Sequence, residues 1–340
     1  MEPTTALVTG VGGQDGVHLA RRLRAHGLRV VGTVEPGTLA SAQAATYLDG
    51  VELVEHDIRD TEAFQALLEQ SLPSQVYNLA AFSSVAASFD HADLVEAVNT
   101  AGVEGMLRAL LRHRERHGRA ARFFQASSSE MFAGSTVLPW REDTPRAPLS
   151  PYGASKCAAH ELVETYRDRH GLFACSGILF NHESPLRGTQ FVTRKITRAA
   201  AEIAFGRRTS LGLGNLDVRR DWGAAPDYVR AMSSMLARDE PADYVIATGE
   251  SHSLGELLAV AFDAAGLGDP APYLVQDPAL MRPADVPETL GDATKAREQL
   301  GWEPTVGFAE MVGHMVRVDI ERLTTGVEES PEYLSPTGTR

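Results

Sequence analysis

Where the first apolar run of this chain ends, three glycines stand at intervals of three residues: Gly10, Gly13 and Gly16. Thr5–Gly10 has the composition of a short buried strand, and Val17–His26 carries apolar residues at helical spacing before stopping at Gly27. A glycine-rich turn between a first strand and a first helix permits a tight backbone path. It also lets an anionic ligand approach the helix N-terminus, where unpaired amide N–H groups point outward. Glycine arrays also mark ordinary turns, so this one gains its meaning from the elements C-terminal to it.

Those elements alternate regularly. Arg29–Val34, Val51–Asp57, Gln75–Ala80, Arg122–Ser127 and Phe173–Asn181 read as apolar strands. Thr61–Leu72, Leu94–Arg116 and the segment from Tyr152 to about Arg169 read as helices between them. This order predicts a parallel sheet covered on both faces, a Rossmann-like doubly wound α/β domain over residues 1–180. Beyond it, loops rich in Gly, Arg and Pro separate shorter elements: Val192–Phe205, Tyr244–Thr248, Leu254–Ala265 and Phe308–Leu323. They predict a smaller mixed α/β C-terminal substrate lobe over residues 181–327, with some segments returning to the first domain. Residues 328–340 are polar and punctuated by Pro and Gly, and are expected to form a loose tail.

The formal charge of −13 argues against nucleic acid as a partner. No apolar run reaches the length of a membrane span, and the N-terminus enters a strand pattern too soon for a signal peptide. Cys157 and Cys175 lie in apolar-periodic segments, so buried thiols in a reducing cytoplasm are expected. No metal site is expected.

The chemistry concentrates in Gln125-Ala-Ser-Ser-Ser-Glu130 and Ser150-Pro-Tyr-Gly-Ala-Ser-Lys156. On a helix Tyr152 and Lys156 share a face one turn apart. The ammonium is expected to favour the phenolate and bring the Tyr152 pKa down towards the range of a general base. Ser128 adds a hydroxyl and Glu130 a second acid/base, which simple alcohol oxidation does not need. Glu35 ends the second strand, where it would accept hydrogen bonds from free ribose hydroxyls and repel a 2′-phosphate. No Lys or Arg occurs between Arg29 and Arg59, so NAD is expected over NADP. Asp57 ends the third strand within reach of an adenine amine, and Leu79-Ala80-Ala81 would flank the cofactor.

With these residues the chain resembles the extended short-chain dehydrogenase/reductase superfamily, and more closely the GDP-mannose 4,6-dehydratase family. The resemblance is carried by Gly13-Gln-Asp-Gly16, the Ser128 and Tyr152 segments, Ile178-Leu-Phe-Asn-His-Glu-Ser-Pro185 and Phe191-Val-Thr-Arg-Lys-Ile196. Leu213-Gly-Asn-Leu-Asp217, Arg220-Asp-Trp-Gly223, Asp227-Tyr-Val229 and Val245-Ile-Ala-Thr-Gly-Glu250 continue it, in order, over nearly the whole chain. It implies that Tyr152 deprotonates a sugar 4-hydroxyl, that Lys156 holds the cofactor ribose, and that Glu130 removes the C5 proton and assists loss of the 6-hydroxyl. Ser128 would hydrogen-bond near O4. Cofactor contacts are implied at Gly10, Gly13, Gln14, Asp15, Gly16, Glu35, Asp57, Ile58, Leu79, Ala80, Ala81, Ser83, Tyr152, Lys156, His182 and Arg187. Substrate contacts are implied at Ser84, Ser128, Glu130, Asn181, Val192, Lys195, Leu213, Gly214, Arg220, Arg282 and Asp285. The sugar diphosphate would lie among Asn181, Lys195, Arg220 and Arg282, since a dianion needs converging charge-assisted donors. A homodimer or homotetramer is implied as well.

The chain departs from the family pattern in several places. Glu35-Pro36 stands where two arginines are common, Phe82-Ser-Ser84 replaces Gln-Ser-His, and Met131-Phe132 replaces Leu-Tyr. Leu186 replaces the first of two arginines, and Ala284-Asp285 stands where Thr-Glu would hold the nucleoside ribose. The leading reading is a nucleotide-sugar 4,6-dehydratase acting on a GDP-sugar. A 4-epimerase or a 5,6-dehydratase is the alternative enzyme, and a catalytically silent NAD-binding sensor is the alternative of another class.

Overall fold

The computed structural model describes residues 4–39, 42–277, 280 and 286–335, with the backbone alone for 42–44. The chain runs through β1 (Thr5–Thr9), α1 (Gln14–Ala25), β2 (Arg29–Val34), α2 (Ala42–Tyr47), β3 (Glu52–Glu55), α3 (Thr61–Ser71) and β4 (Gln75–Asn78). Next come α4 (Ala92–Glu96), α5 (Gly102–His117), β5 (Arg122–Ser128), α6 (Pro151–His170), β6 (Ala174–Leu179) and β7 (Asn181–Glu183). The remainder comprises α7 (Val192–Ala204), β8 (Leu211–Leu213), β9 (Arg219–Ala224), α8 (Ala225–Leu236), β10 (Tyr244–Ile246) and β11 (Ser251–Ser253). Then α9 (Leu254–Ala264), β12 (Leu274–Gln276), α10 (Thr294–Leu300) and α11 (Phe308–Thr325) complete the order.

Seven parallel strands form the main sheet in the order β3-β2-β1-β4-β5-β6-β10. The chain reverses direction across the sheet between β1 and β4, which opens a crevice at their C-terminal ends. Side chains alternate across the sheet because a strand has a period of two. Leu7, Val31, Val76 and Phe123 pack beneath α3, α5 and α6. Val8, Val30, Tyr77 and Phe124 pack on the other face against α1 and α8. A third core joins α7, α9 and α11 to β8 and β9 through Ile196, Leu211, Trp222, Leu257 and Val316. Inside it, buried Asp319 receives Arg194, Arg322 and Thr197, so its charge is paired and hydrogen-bonded. No helix among the described residues is long and apolar enough to cross a membrane.

Four elements differ from the sequence expectation. Helix α1 begins at Gln14, not Val17, so Gly16 lies within its first turn. The run Phe173–Asn181 is not one strand: β6 ends at Leu179, the Phe180 N–H donates to Ile246 O at 3.1 Å, and β7 pairs with β9 in a separate three-stranded sheet. Unbroken apolarity cannot reveal a change of sheet. The expected helix Leu94–Arg116 contains a π turn over Ala97–Ala101, which shifts its faces without interrupting the apolar pattern. Finally, the segment after residue 328 is docked, not loose. Tyr333 is buried, its carbonyl is held by His314 at 2.9 Å, and Glu329 accepts from the Tyr47 hydroxyl at 2.7 Å. One buried aromatic ring anchors a segment whose overall composition is polar; residues 336–340 lie outside the described set.

The glycine turn is where backbone meets backbone. Gly10 has φ +66°, and a Cβ there would lie 2.8 Å from Ala80 Cα. A Cβ on Gly16 would lie 2.4 Å from Gly10 O and 2.5 Å from Val11 Cα. Backbone atoms held between β1, β4 and α1 cannot swing aside as a flexible side chain can. Gly16→Ala should therefore destabilise the fold by about 1–3 kcal/mol through overpacking. Urea unfolding measures this, and a midpoint equal to that of the unmodified protein would contradict the assigned contact.

Candidate active site

The C-terminal end of β5 delivers Ser128 and, just beyond it, Glu130. Ser128 leaves the strand in extended conformation, and its hydroxyl accepts the Glu130 N–H at 3.2 Å, capping the short turn Ser129–Phe132. Ser150 caps α6 by accepting the Gly153 N–H at 3.0 Å, and Pro151 occupies the first helical position, where no N–H is required. A Cβ on Gly153 would lie 2.8 Å from Glu130 O, so this glycine lets the first turn of α6 press against the turn bearing Glu130. The result brings Ser128, Glu130 and Tyr152 to one focus, where the Ser128 hydroxyl lowers the phenol pKa and the Glu130 charge raises it.

The Tyr152 pKa runs opposite to expectation. Burial is the largest influence and pushes the phenol up to about 12, with the Ser128 hydrogen bond opposing and Glu130 adding to the rise. Lys156 is desolvated as well, which brings it down to about 8 despite the charge of Asp15. Its Nζ donates to Ala126 O at 2.9 Å and lies 5.8 Å from the Tyr152 ring centroid. Helical spacing placed the pair correctly on one face but could not report how dry that face is, and desolvation penalises both charged forms.

A candidate cofactor cradle lies between β1 and α1. Gly13 caps α1 in extended conformation without a side-chain hydrogen bond, leaving the first amide groups of the helix open to an anion. Gly13 puts no side chain at that N-terminus, while Gly10 and Gly16 make room for neighbouring backbone, an arrangement that suits a dinucleotide diphosphate. Gln14 and Asp15 turn towards the second lobe. Asp15 Oδ2 lies 2.8 Å from His182 Nε2, while His182 Nδ1 lies 2.7 Å from Phe180 O. Gln14 donates to His182 O at 3.1 Å and accepts from the Ser184 hydroxyl at 3.0 Å. Asp15 and His182 were expected as separate cofactor contacts; that they form one buried network was not legible from positions 167 residues apart.

Around the rest of the cradle, Thr9 Oγ1 accepts the Leu79 and Ala80 N–H groups at 3.2 and 3.3 Å. Asn99, from the π turn, accepts the Phe82 N–H at 2.9 Å and donates to Phe82 O at 3.1 Å and Ser155 Oγ at 3.0 Å. It thereby ties the loop of Ala81, Ser83 and Ser84 to the catalytic helix, a role that no spacing in the sequence signals. Ser84 itself accepts the Ala87 N–H at 3.2 Å. At the adenosine end Glu35 is exposed and Ile58 is buried. Asp57 receives Arg59 Nε at 2.9 Å and Nη2 at 2.5 Å; that pairing holds its carboxyl down at about 2. Arg59 also feels Glu35, so the stretch without basic residues is bounded in space by a cation already engaged with Asp57. Arg187 lies elsewhere: its Nε is 3.1 Å from Glu183, its guanidinium stacks 3.7 Å from the Phe191 ring centroid, and its charge acts on Tyr152.

On the substrate side, Lys195 donates to Gly212 O at 2.7 Å, and Arg220 donates to Arg219 O at 2.8 Å and Val286 O at 2.7 Å. Asn181 starts β7 opposite Trp222, Val192 opens α7, and Leu213 ends β8 with Gly214 just beyond it. The strands carrying these groups, β7, β8 and β9, lie outside the seven-stranded sheet, and α7 packs with β8 and β9 in the third core. Arg282 and Asp285 lie outside the described residues.

Residues 7–315 match the family model described as GDP-mannose 4,6 dehydratase. The chain belongs to that family. GDP-mannose 4,6 dehydratase 1 of Arabidopsis thaliana is 46% identical over 325 residues, covering 93% of this chain and 90% of its own. The human GDP-mannose 4,6 dehydratase is 38% identical, covering 94% of this chain and 92% of its own. Among solved structures, a Thermus thermophilus UDP-glucose 4-epimerase in complex with NAD superimposes with TM-score 0.80 at 26% identity, covering 95% of this chain and 100% of that one. A Streptomyces venezuelae dTDP-glucose 4,6-dehydratase, at 24% identity and TM-score 0.79, shares the fold. Family membership makes the chain an enzyme of the hydro-lyase class.

The Asp15–His182 contact has a measurable sign. Burial raises the Asp15 carboxyl, but the charge and hydrogen bond of His182 outweigh it and leave the group below 3.8. Burial lowers His182, and Asp15 more than offsets it, leaving the imidazole above 6.5. The His182 contribution to stability is therefore present below pH 6.5 and lost as pH rises through its raised pKa; the Asp15 contribution is lost as pH falls through its lowered pKa. In Asp15→Asn the burial remains and the charge goes, so His182 should titrate below 6.5. An NMR titration of the imidazole tests this, and an unchanged His182 pKa would remove Asp15 as the cause.

Proposed function

We propose that the protein is a nucleotide-sugar 4,6-dehydratase acting on GDP-mannose or a close relative in the cytoplasm, as a homo-oligomer. The observation that carries this reading is the convergence of Glu130, Ser128 and Tyr152 at the end of β5, which provides two acid/bases where oxidation alone needs one. Tyr152 accepts the 4-hydroxyl proton while Ser128 orients O4. The resulting 4-ketone acidifies C5–H, and Glu130 takes that proton and then protonates the departing 6-hydroxyl, which leaves as water. The proton held by Tyr152 is the one available to restore C5. The bound nicotinamide cofactor supplies a hydride acceptor at C4, a hydride donor at C6, and, when oxidised, a positive charge that favours the phenolate. Lys195 and Arg220 hold their charges against backbone carbonyl oxygens. From there they would clamp the sugar diphosphate, with Asn181 and Arg282 completing the set.

NAD is favoured over NADP. Glu35 stands exposed at the end of β2, Asp57 already engages Arg59, and Arg187 is held beside the catalytic tyrosine by Glu183. A 2′-phosphate would meet a carboxylate before it met a free cation. Glu35→Arg should shift the NADP/NAD preference by about 1–2 kcal/mol, roughly tenfold in relative affinity. Cofactor titration of both proteins measures the shift, and preference for NADP in the unmodified chain would overturn the assignment.

Tyr152→Phe and Glu130→Gln should each lower dehydration by about 10²–10⁴-fold. They should fail at different points: Tyr152→Phe before hydride leaves C4, and Glu130→Gln after it, retaining exchange at C4. Mass spectrometry of products from GDP-mannose distinguishes dehydration, which loses water, from epimerisation, which leaves the mass unchanged. Near-normal turnover in Glu130→Gln would sink the dehydratase reading.

A further inference from the structure

The catalytic groups occupy the C-terminal edge of the main sheet; the opposite edge carries a second chemical cluster. We infer that Glu69, His113 and His117 form a binding site for one divalent transition-metal ion of the zinc class. Glu69 lies near the end of α3, and the two histidines are one turn apart near the end of α5, which packs against it. One ligand atom from each residue lies within 4.8 Å of the other two. His117 Nε2 is 2.6 Å from Glu69 Oε2, and His113 Nδ1 is 3.7 Å from Glu69 Oε1. The two imidazole centroids are 4.5 Å apart. A tetrahedral ion with bonds of about 2.0–2.2 Å holds its ligand atoms roughly 3.3 Å apart, so rotamer adjustment brings these three into its shell.

The second observation is independent of spacing. His113 is 3% exposed, yet its Nδ1, which faces Glu69, makes no hydrogen bond. Two imidazoles and one carboxylate leave a coordination position for water and suit zinc, cobalt, nickel or copper over calcium or magnesium.

The surroundings set a limit on affinity. Glu69 Oε1 also meets Gln65 Nε2 at 2.8 Å and Arg116 at 3.4 Å, while Gln65 accepts from Arg112 at 3.0 Å. Arg116 is 60% exposed and can turn into solvent, so it weakens the site without closing it. The comparable group His160, Glu164 and Asp243 is different. Its carboxylates are committed to Arg146 and to a bidentate Arg167 that is only 16% exposed. That group neutralises itself and needs no ion.

A bound ion would staple α3 to α5. The test uses the full chain without an affinity tag, titrated with Co²⁺, whose visible spectrum reports four-coordinate nitrogen and oxygen ligation. One equivalent should bind saturably, be displaced by Zn²⁺, and raise the unfolding temperature. His117→Ala and Glu69→Gln should each weaken binding at least about tenfold and lose the stabilisation, with unfolding in the absence of metal confirming that both remain folded. Absence of saturable one-equivalent binding, or an unchanged Kd in both folded variants, would overturn the site.

Discussion

The fold depends first on a backbone approach that only glycine allows. Gly10 sits against the Ala80 backbone, and Gly16 sits against Gly10 and Val11, so α1 starts directly at the mouth of the crevice between β1 and β4. The amide groups at its N-terminus then face the position of an anion rather than a neighbouring side chain. The same placement aims Asp15 at His182 across the boundary between lobes and lets α1 pack beside α8. A bulkier residue at either glycine would move one helix, and with it the diphosphate cradle, the buried ion pair and the packing of the second lobe.

Desolvation governs the electrostatics of the site. It pushes Tyr152 up to about 12 and brings Lys156 down to about 8, so the charged form of each is disfavoured relative to water. The groups that stay charged do so because each has a partner, as with Asp15 and His182, or Arg187 and Glu183. In a dry site a base is activated when a charge arrives beside it, not by permanent solvation. This suits a reaction in which redox and proton transfer must remain coupled within one turnover.

How much was legible depends on the range of the signal. The alternation of strands and helices was readable because side-chain periodicity is local, and the glycine array was readable because its steric demand falls on adjacent residues. Tyr152, Lys156, Ser128 and Glu130 stood in two short motifs for the same reason. The break at Phe180 was not readable, since both halves are apolar and only the hydrogen bond to Ile246 shows where one sheet ends. The burial of Tyr333, the π turn that carries Asn99, and the pairing of Asp57 with Arg59 likewise depend on partners or backbone geometry that composition does not encode. The sign of the Tyr152 shift was missed because helical spacing measures proximity and says nothing about water.

By itself, then, the sequence determined the doubly wound sheet, the strand–glycine–helix turn and the two short motifs that hold the proposed acid/base residues, all of which are local in the chain. Tertiary structure alone decided which of those residues share a dry environment. It joined Asp15 to His182, set Arg187 beside Tyr152 rather than Glu35, and brought Glu69 to His113 and His117. The reason is that charge–charge and desolvation energies depend on distances through space, and those distances exist only once the helices have packed.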